Sequence, residues 1–180
     1  MLVTIAPLRL WTIGHGTRSS QEFLDALRGQ GIPQLIDVRA HPGSRANPQF
    51  GKAALESALG AGGVAYDHWP ALGGRRRGLG DASPNVAWQH PSFRAFADYM
   101  MTDEFWKAVD ELLLLARERP TVIMCSETLW WRCHRRLIAD AASARSAEVL
   151  HIMKPGIIAP HVLSPPARVV GDRVVYTTPG

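Results

Sequence analysis

The chain has 180 residues, 46% of them hydrophobic, which is enough for one globular domain with a sizeable core. No apolar run approaches the ~20 residues that span a bilayer, and Met1 to Pro7 lack the basic and apolar regions of an export signal, so a cytoplasmic protein without a membrane partner is expected. Two cysteines cannot build a disulfide framework and are read as reduced thiols, while a net charge of +4 and a pI near 9.5 point to an anionic partner, a nucleotide, nucleic acid or phosphorylated metabolite.

Leu10 to Ile13 reads as a short buried strand, ended by Gly14-His15-Gly16. Ser19 and Glu22 have the capping-box pattern, and the helix they open places Phe23, Ala26 and Leu27 on one face before stopping near Gly29 and Gly31. Gln34 to Val38 is the next strand. Strand, helix, strand at this spacing is a βαβ unit, which implies a parallel sheet. A loop with Pro42 and Pro48 follows, then a helix from about Lys52 to Leu59 and a strand at Val64 to Tyr66.

Residues 67–90 are irregular, with Arg75-Arg76-Arg77 among glycines and with Trp69 and Trp88 on either side. A loop of that length inside a compact domain is usually functional or disordered. The glycines predict mobility without ligand, the arginines could clamp phosphates, and the tryptophans could stack on bases. Ser92 to Met101 forms a helix. A second helix carries an apolar stripe of Phe105, Trp106, Val109, Leu112, Leu113 and Ala116. Thr121 to Met124 is a strand, and a helix from about Trp130 to Ala144 follows. Val149 to Ile152 is a further strand, Lys154-Pro155-Gly156 and His161 fall in a loop, and residues 168–176 form a small hairpin turning at Gly171-Asp172. No internal repeat or domain boundary interrupts residues 1–180.

The strands deliver unusual polar residues at or just beyond their ends: Gly14 and His15, Asp37 and Arg39, Cys125 and Glu127, and His151. In a parallel sheet these ends share one edge, where open α/β sheets hold their ligands. His15, Asp37, Arg39, Cys125, Glu127 and His151 are therefore expected around one cleft. The alternative for each is a local capping role.

Cys125 ends a strand ahead of a helix, near Arg132, Arg135 and Arg136, which favour a thiolate, and near Glu127, which opposes it. The competing reading is a small buried hydrophobe. Cys133 falls on the helix stripe with Trp130, Leu137 and Ala141, so it is expected to be shielded and to react after Cys125. His134 faces the cleft or its margin. A zinc site of Cys125, Glu127, His15 and His151 lacks the paired spacing of structural zinc sites, and no metal or cofactor is assigned.

Several segments together resemble the bacterial family catalogued as domain of unknown function 488. They are Thr12 to Gly16 with Phe23; Leu35 to Arg39 with Pro42, Ser44, Arg45 and Phe50; and Leu72-Gly73-Gly74. Met124 to Glu127, Cys133 to Ile138 and Val149 to Ile152 complete the set, and the resemblance spans about residues 10 to 163. It implies an α/β fold with suspected enzymatic activity and names no reaction.

The leading expectation is an enzyme on a mainly parallel, Rossmann-like sheet, acting on a nucleotide, a nucleic acid or another anionic molecule. Cys125 would be the nucleophile or redox thiol, with Glu127, His15 and Asp37 beside it. Arg39, Arg45, Arg75, Arg76, Arg77, His134, Arg135 and His151 would hold the substrate. A rhodanese-like sulfur carrier is suggested by Leu35 to Arg39, although Cys125 to Arg132 contains no glycine to form an anion cradle. A non-catalytic nucleic-acid-binding module would rest on the arginine loop and the tryptophans, and would leave Cys125 and Glu127 without a role.

Overall fold

The computed structural model describes residues 6–178, so most of the leading segment read for an export signal lies outside the described residues. The main sheet has six strands in the order β3-β2-β4-β1-β5-β6. These are β1 (Arg9–Gly14), β2 (Gln34–Asp37), β3 (Ala65–His68), β4 (Thr121–Cys125), β5 (Glu148–Lys154) and β6 (Ile157–Pro160). The first five run parallel and β6 pairs antiparallel with β5. Among the described residues, no helix is long and apolar enough to cross a membrane.

The central strands are buried almost continuously, as a parallel sheet covered on both faces requires. Side-chain alternation assigns residues to two cores. Trp11, Ile13, Leu35, Val122 and Met124 pack on the side of α1 (Ser20–Arg28) and α2 (Lys52–Ala61). Leu10, Ile36, Ile123, Cys125 and Val149 face the other side, with α3 (Pro91–Tyr99), α4 (Asp103–Glu118) and α5 (Arg135–Ala144). The Ser19 and Glu22 capping box forms, and Phe23, Ala26 and Leu27 are the buried face of α1, as the spacing predicts. α3 opens on His90 with Pro91 in its first turn, where a missing amide costs no helical hydrogen bond.

Two expectations are corrected. The helix expected from Trp130 breaks in two: Trp130–Arg132 is a single 3-10 turn, Cys133 is extended, and α5 begins at Arg135. Residues 157–160, read as loop, form the edge strand β6, and the His161 amide donates to the Val149 carbonyl beyond it. Within the irregular stretch, side chains make several hydrogen bonds. Asp98 accepts from the Leu79 amide and the Asn85 side chain, while Arg76 donates to the Gly73 and Pro70 carbonyls and stacks on Tyr99.

The C-terminal hairpin, β7 (Arg168–Val170) with β8 (Arg173–Val175), turns through Gly171 at positive φ. It buries Val174 and Tyr176 in the core on the α5 side.

Candidate functional site

Sheet register brings the strand ends together. Gly14 is level with Cys125, and Asp37 with Met124. Beyond the last paired residues, the His15 and Gly16 amides donate to the Cys125 and Ser126 carbonyls, and the Val38 amide donates to Met124. The chain leaves β2 toward one helical layer and β4 toward the other, so a crevice opens between these neighbouring strands. It holds a cavity of about 420 Å³, lined in part by His15, Arg39, Cys125, Glu127, Cys133 and His134. Arg75, Arg132, His41, His90 and Ser92 complete its polar rim.

Both cysteines are therefore on the cleft wall. Cys133 is buried, as expected, but because α5 starts two residues after it, it borders the cavity as well as the core. Arg135 joins the two thiols: its Nε donates to Cys125 Sγ at 3.0 Å and its backbone amide to Cys133 Sγ at 3.5 Å. Burial pushes the Cys125 thiol well up, and the neighbouring Cys133 adds to this. Burial alone would raise Cys133 as well, but the hydrogen bond from Cys125 and the charges of His134 and Arg135 outweigh it and hold Cys133 well below the ordinary thiol range.

His134 is held in one tautomer. Its Nε2 lies 2.9 Å from the Val38 carbonyl and 3.1 Å from that of Leu72, so Nε2 carries the hydrogen and donates. Nδ1 then faces Cys133 Sγ at 3.5 Å, within reach of that thiol's proton. Gly74 is close by, and a Cβ there would come within 2.5 Å of Nδ1.

Arg135 is buried, at 1% exposure. Its side chain donates to Cys125 Sγ, to Thr12 Oγ1 at 3.1 Å and to the Glu127 and Thr128 carbonyls, and none of these acceptors is a carboxylate. Taking a cation out of water costs several kcal/mol unless an anion accompanies it. The cysteine pair is the titratable group in contact with it.

Behind Arg135 a buried relay continues. Thr12 Oγ1 lies 2.7 Å from His151 Nδ1, His151 Nε2 lies 3.0 Å from His161 Nδ1, and His161 Nε2 lies 2.8 Å from Asp140 Oδ1. Tyr176 donates its hydroxyl to the other Asp140 oxygen at 2.8 Å. With His161 donating to the carboxylate, each group in turn donates toward Asp140, so the relay runs from a cation to an anion. Burial first, then the charges of His161 and Arg135, drive the His151 pKa down to about 2, and the ring is neutral.

His15 and Arg39 form the opposite wall. His15 Nδ1 donates to the Gly16 carbonyl at 2.9 Å and the ring stacks on Phe50, which leaves Nε2 as an acceptor 3.5 Å from Arg39 Nη1. Burial lowers the His15 pKa. Asp37 is fully buried behind Arg39 and grips it with both carboxylate oxygens, while Tyr66 donates to Asp37 from the other side.

Of the residues singled out from the sequence, His15, Arg39, Arg75, Cys125, Glu127 and His134 line the cavity. Asp37 and Arg135 sit directly behind it, holding lining residues. His151 lies one step further back, inside β5, stacked on Trp130 at 4.2 Å. Arg45 and Arg77 are exposed outside the lining, and Arg76 is turned onto Tyr99. Trp88 is buried against Phe93 and Tyr176, so it offers no face to a base. Among the described residues, no group of three or more His, Cys, Asp or Glu is placed to hold a metal ion.

Sequence reasoning missed His41, His90, Ser92 and the Thr12–His161–Asp140–Tyr176 part of the relay. Thr12 had a signal, a lone hydroxyl in a buried strand. His161 and Asp140 had none: His161 follows β6, a strand not expected from the sequence, and Asp140 lies inside α5.

Searches of curated proteins and of solved structures return no significant match to this chain. A family model described as domain of unknown function DUF488 matches residues 19–142, a span that includes Asp37, Arg39, both cysteines, His134 and Arg135. With more than half of its length covered by that model, the chain belongs to the DUF488 family.

Proposed function

We propose that this protein is a thiol-dependent enzyme acting on a small anionic substrate of nucleotide size. The observation that carries the reading is the juxtaposition of two thiols with a buried guanidinium on the wall of a cleft rimmed by further cations. Cys133 is the nucleophile in this reading. Nδ1 of His134 receives or holds its proton, and Arg135 stabilises the thiolate. Arg39, Arg75 and Arg132 take the anionic groups of the substrate, with Arg39 positioned by Asp37. Glu127 and the bare Nε2 of His15 are the remaining proton-transfer groups at the cavity. This assignment moves the nucleophile from Cys125, the thiol favoured by the sequence.

Alkylation by iodoacetamide, followed by intact-protein mass spectrometry across pH, tests it. We expect one thiol to alkylate at pH 6.5, below the ordinary cysteine pKa of roughly 8.5. Cys125→Ser should keep that reaction and Cys133→Ser should lose it. Adenosine monophosphate, or inorganic phosphate at higher concentration, should slow it several-fold. Alkylation that follows an ordinary thiol titration and ignores both anions would overturn the proposal. A non-catalytic nucleic-acid module has less support, because Trp88 is buried and Arg76 is occupied.

A further inference from the structure

We infer that Cys125 and Cys133 form a reversible dithiol–disulfide couple, in which Cys133 attacks a small hydroperoxide and Cys125 resolves the product. The inference rests on the same cleft as the proposed function and adds to it a redox activity with a named class of oxidant. Two observations carry it. Both sulfurs take hydrogen bonds from one residue, Arg135, one through the guanidinium and one through the backbone amide. Both thiols also line the cleft while being almost covered, at 3% and 7% exposure, so an oxidant must be small to reach them.

The two thiols are not equivalent, and the difference assigns their order. Cys133 has His134 Nδ1 and the Arg135 amide on its sulfur, groups that favour a thiolate. Cys125 instead donates its S–H toward the Glu127 carbonyl at 3.8 Å. In the first step the Cys133 thiolate attacks the distal oxygen of the hydroperoxide. The O–O bond breaks, Cys133 becomes a sulfenic acid, and the leaving alkoxide or hydroxide takes up a proton. In the second step the Cys125 sulfur attacks the Cys133 sulfur. Its proton leaves with the hydroxyl as water, and the S–S bond forms. The hydroperoxide is reduced to an alcohol or water, and the two cysteines are oxidised by two electrons in total.

Arg135 determines how easily the couple returns. In the dithiol form the buried guanidinium bonds Cys125 Sγ and lies beside Cys133, whose thiolate balances its charge. In the disulfide form that anion is gone, and the hydrogen-bonded relay from Thr12 to Asp140 remains behind the guanidinium. Stabilising the reduced form makes a disulfide more readily reduced, so an ordinary small thiol should suffice to reset the pair. While oxidised, the protein has no nucleophilic thiol.

The test treats the reduced full-length protein with one molar equivalent of hydrogen peroxide and reads intact mass and peptide maps. We expect loss of two hydrogens, a Cys125–Cys133 linked peptide, and reversal by glutathione. In Cys125→Ser, Cys133 should stop at a sulfenic acid that dimedone traps. In Cys133→Ser, peroxide consumption should fall by at least about tenfold, as removal of the low-pKa thiol implies. Cys133 oxidised without a disulfide, Cys125 oxidised first, or a disulfide between two molecules would each overturn the inference. The outcome is independent of the anion competition, because no anion is present.

Discussion

Among single residues, Arg135 has the largest consequences. Its fork reaches a sulfur, a hydroxyl and a backbone carbonyl at once, which a lysine ammonium cannot do. Arg135→Lys should therefore lower stability by about 1–3 kcal/mol, from the buried acceptors left without donors. It should also move the alkylation midpoint of Cys133 upward. Urea unfolding and pH-dependent alkylation measure the two effects separately, and a variant with both unchanged would remove Arg135 from the account. His151 gives a prediction about acid. In the folded protein its pKa is pushed down to about 2, against about 6.5 for a free imidazole, so only the unfolded chain takes up this proton as pH falls through 6.5. Stability should therefore decline below pH 6.5, with a slope of at most about 1.4 kcal/mol per pH unit from this group. His151→Asn can keep the contact to Thr12, and it should flatten the fall in urea midpoint between pH 7 and 5. An identical slope in variant and wild type would refute the assignment.

At the scale of elements, the segment from the end of β4 to the start of α5 carries most of the site. Its path depends on Gly14 at the end of β1, since a Cβ there would overlap the Glu127 carbonyl and crowd Thr128. Gly14→Ala must displace the 126–128 backbone. We expect a cost of about 1–3 kcal/mol, in the range of overpacking, together with slower Cys133 alkylation, because the carbonyl that anchors Arg135 moves with the loop. Gly74→Ala is the milder counterpart, pressing on the His134 ring instead of backbone. It should alter the alkylation pH profile with a smaller loss of stability, and thermal melts beside the pH profile distinguish the two. The break before α5 could not be read locally, because 130–144 is periodic enough for one helix. It arises from the stacking of Trp130 on His151, a residue of β5.

For the molecule as a whole, the C-terminal hairpin belongs to the support of the site, although it lies outside the span matched by the family model. Tyr176 is buried and donates to Asp140, the anion that ends the relay. Burial first, with Asp140 adding to it, pushes the Tyr176 hydroxyl well above its ordinary pKa, so it remains a donor. Tyr176→Phe removes a hydrogen bond to a charged group, and a cost of about 1.5–3 kcal/mol in urea unfolding is expected. A fully stable variant would detach the hairpin from the relay.

The elements with a strong local pattern were legible in the sequence. The capping box at Ser19, the apolar stripe of α4, the continuous burial of β1 and β4 and the turn at Gly171 all appear as their spacing predicts. Strand polarity also placed Cys125 and Asp37 on one edge, since parallel strands carry their ends to the same side. Tertiary structure alone decided which thiol has the proton acceptor, because the phase of Cys133 depends on a helix start governed by contacts with β5. It also decided that Asp37 grips Arg39 and that His151 points into a relay rather than into the cleft. Those outcomes come from groups paired across 10 to 139 positions of chain in the relay and from burial on both faces of the sheet, and no local spacing encodes either.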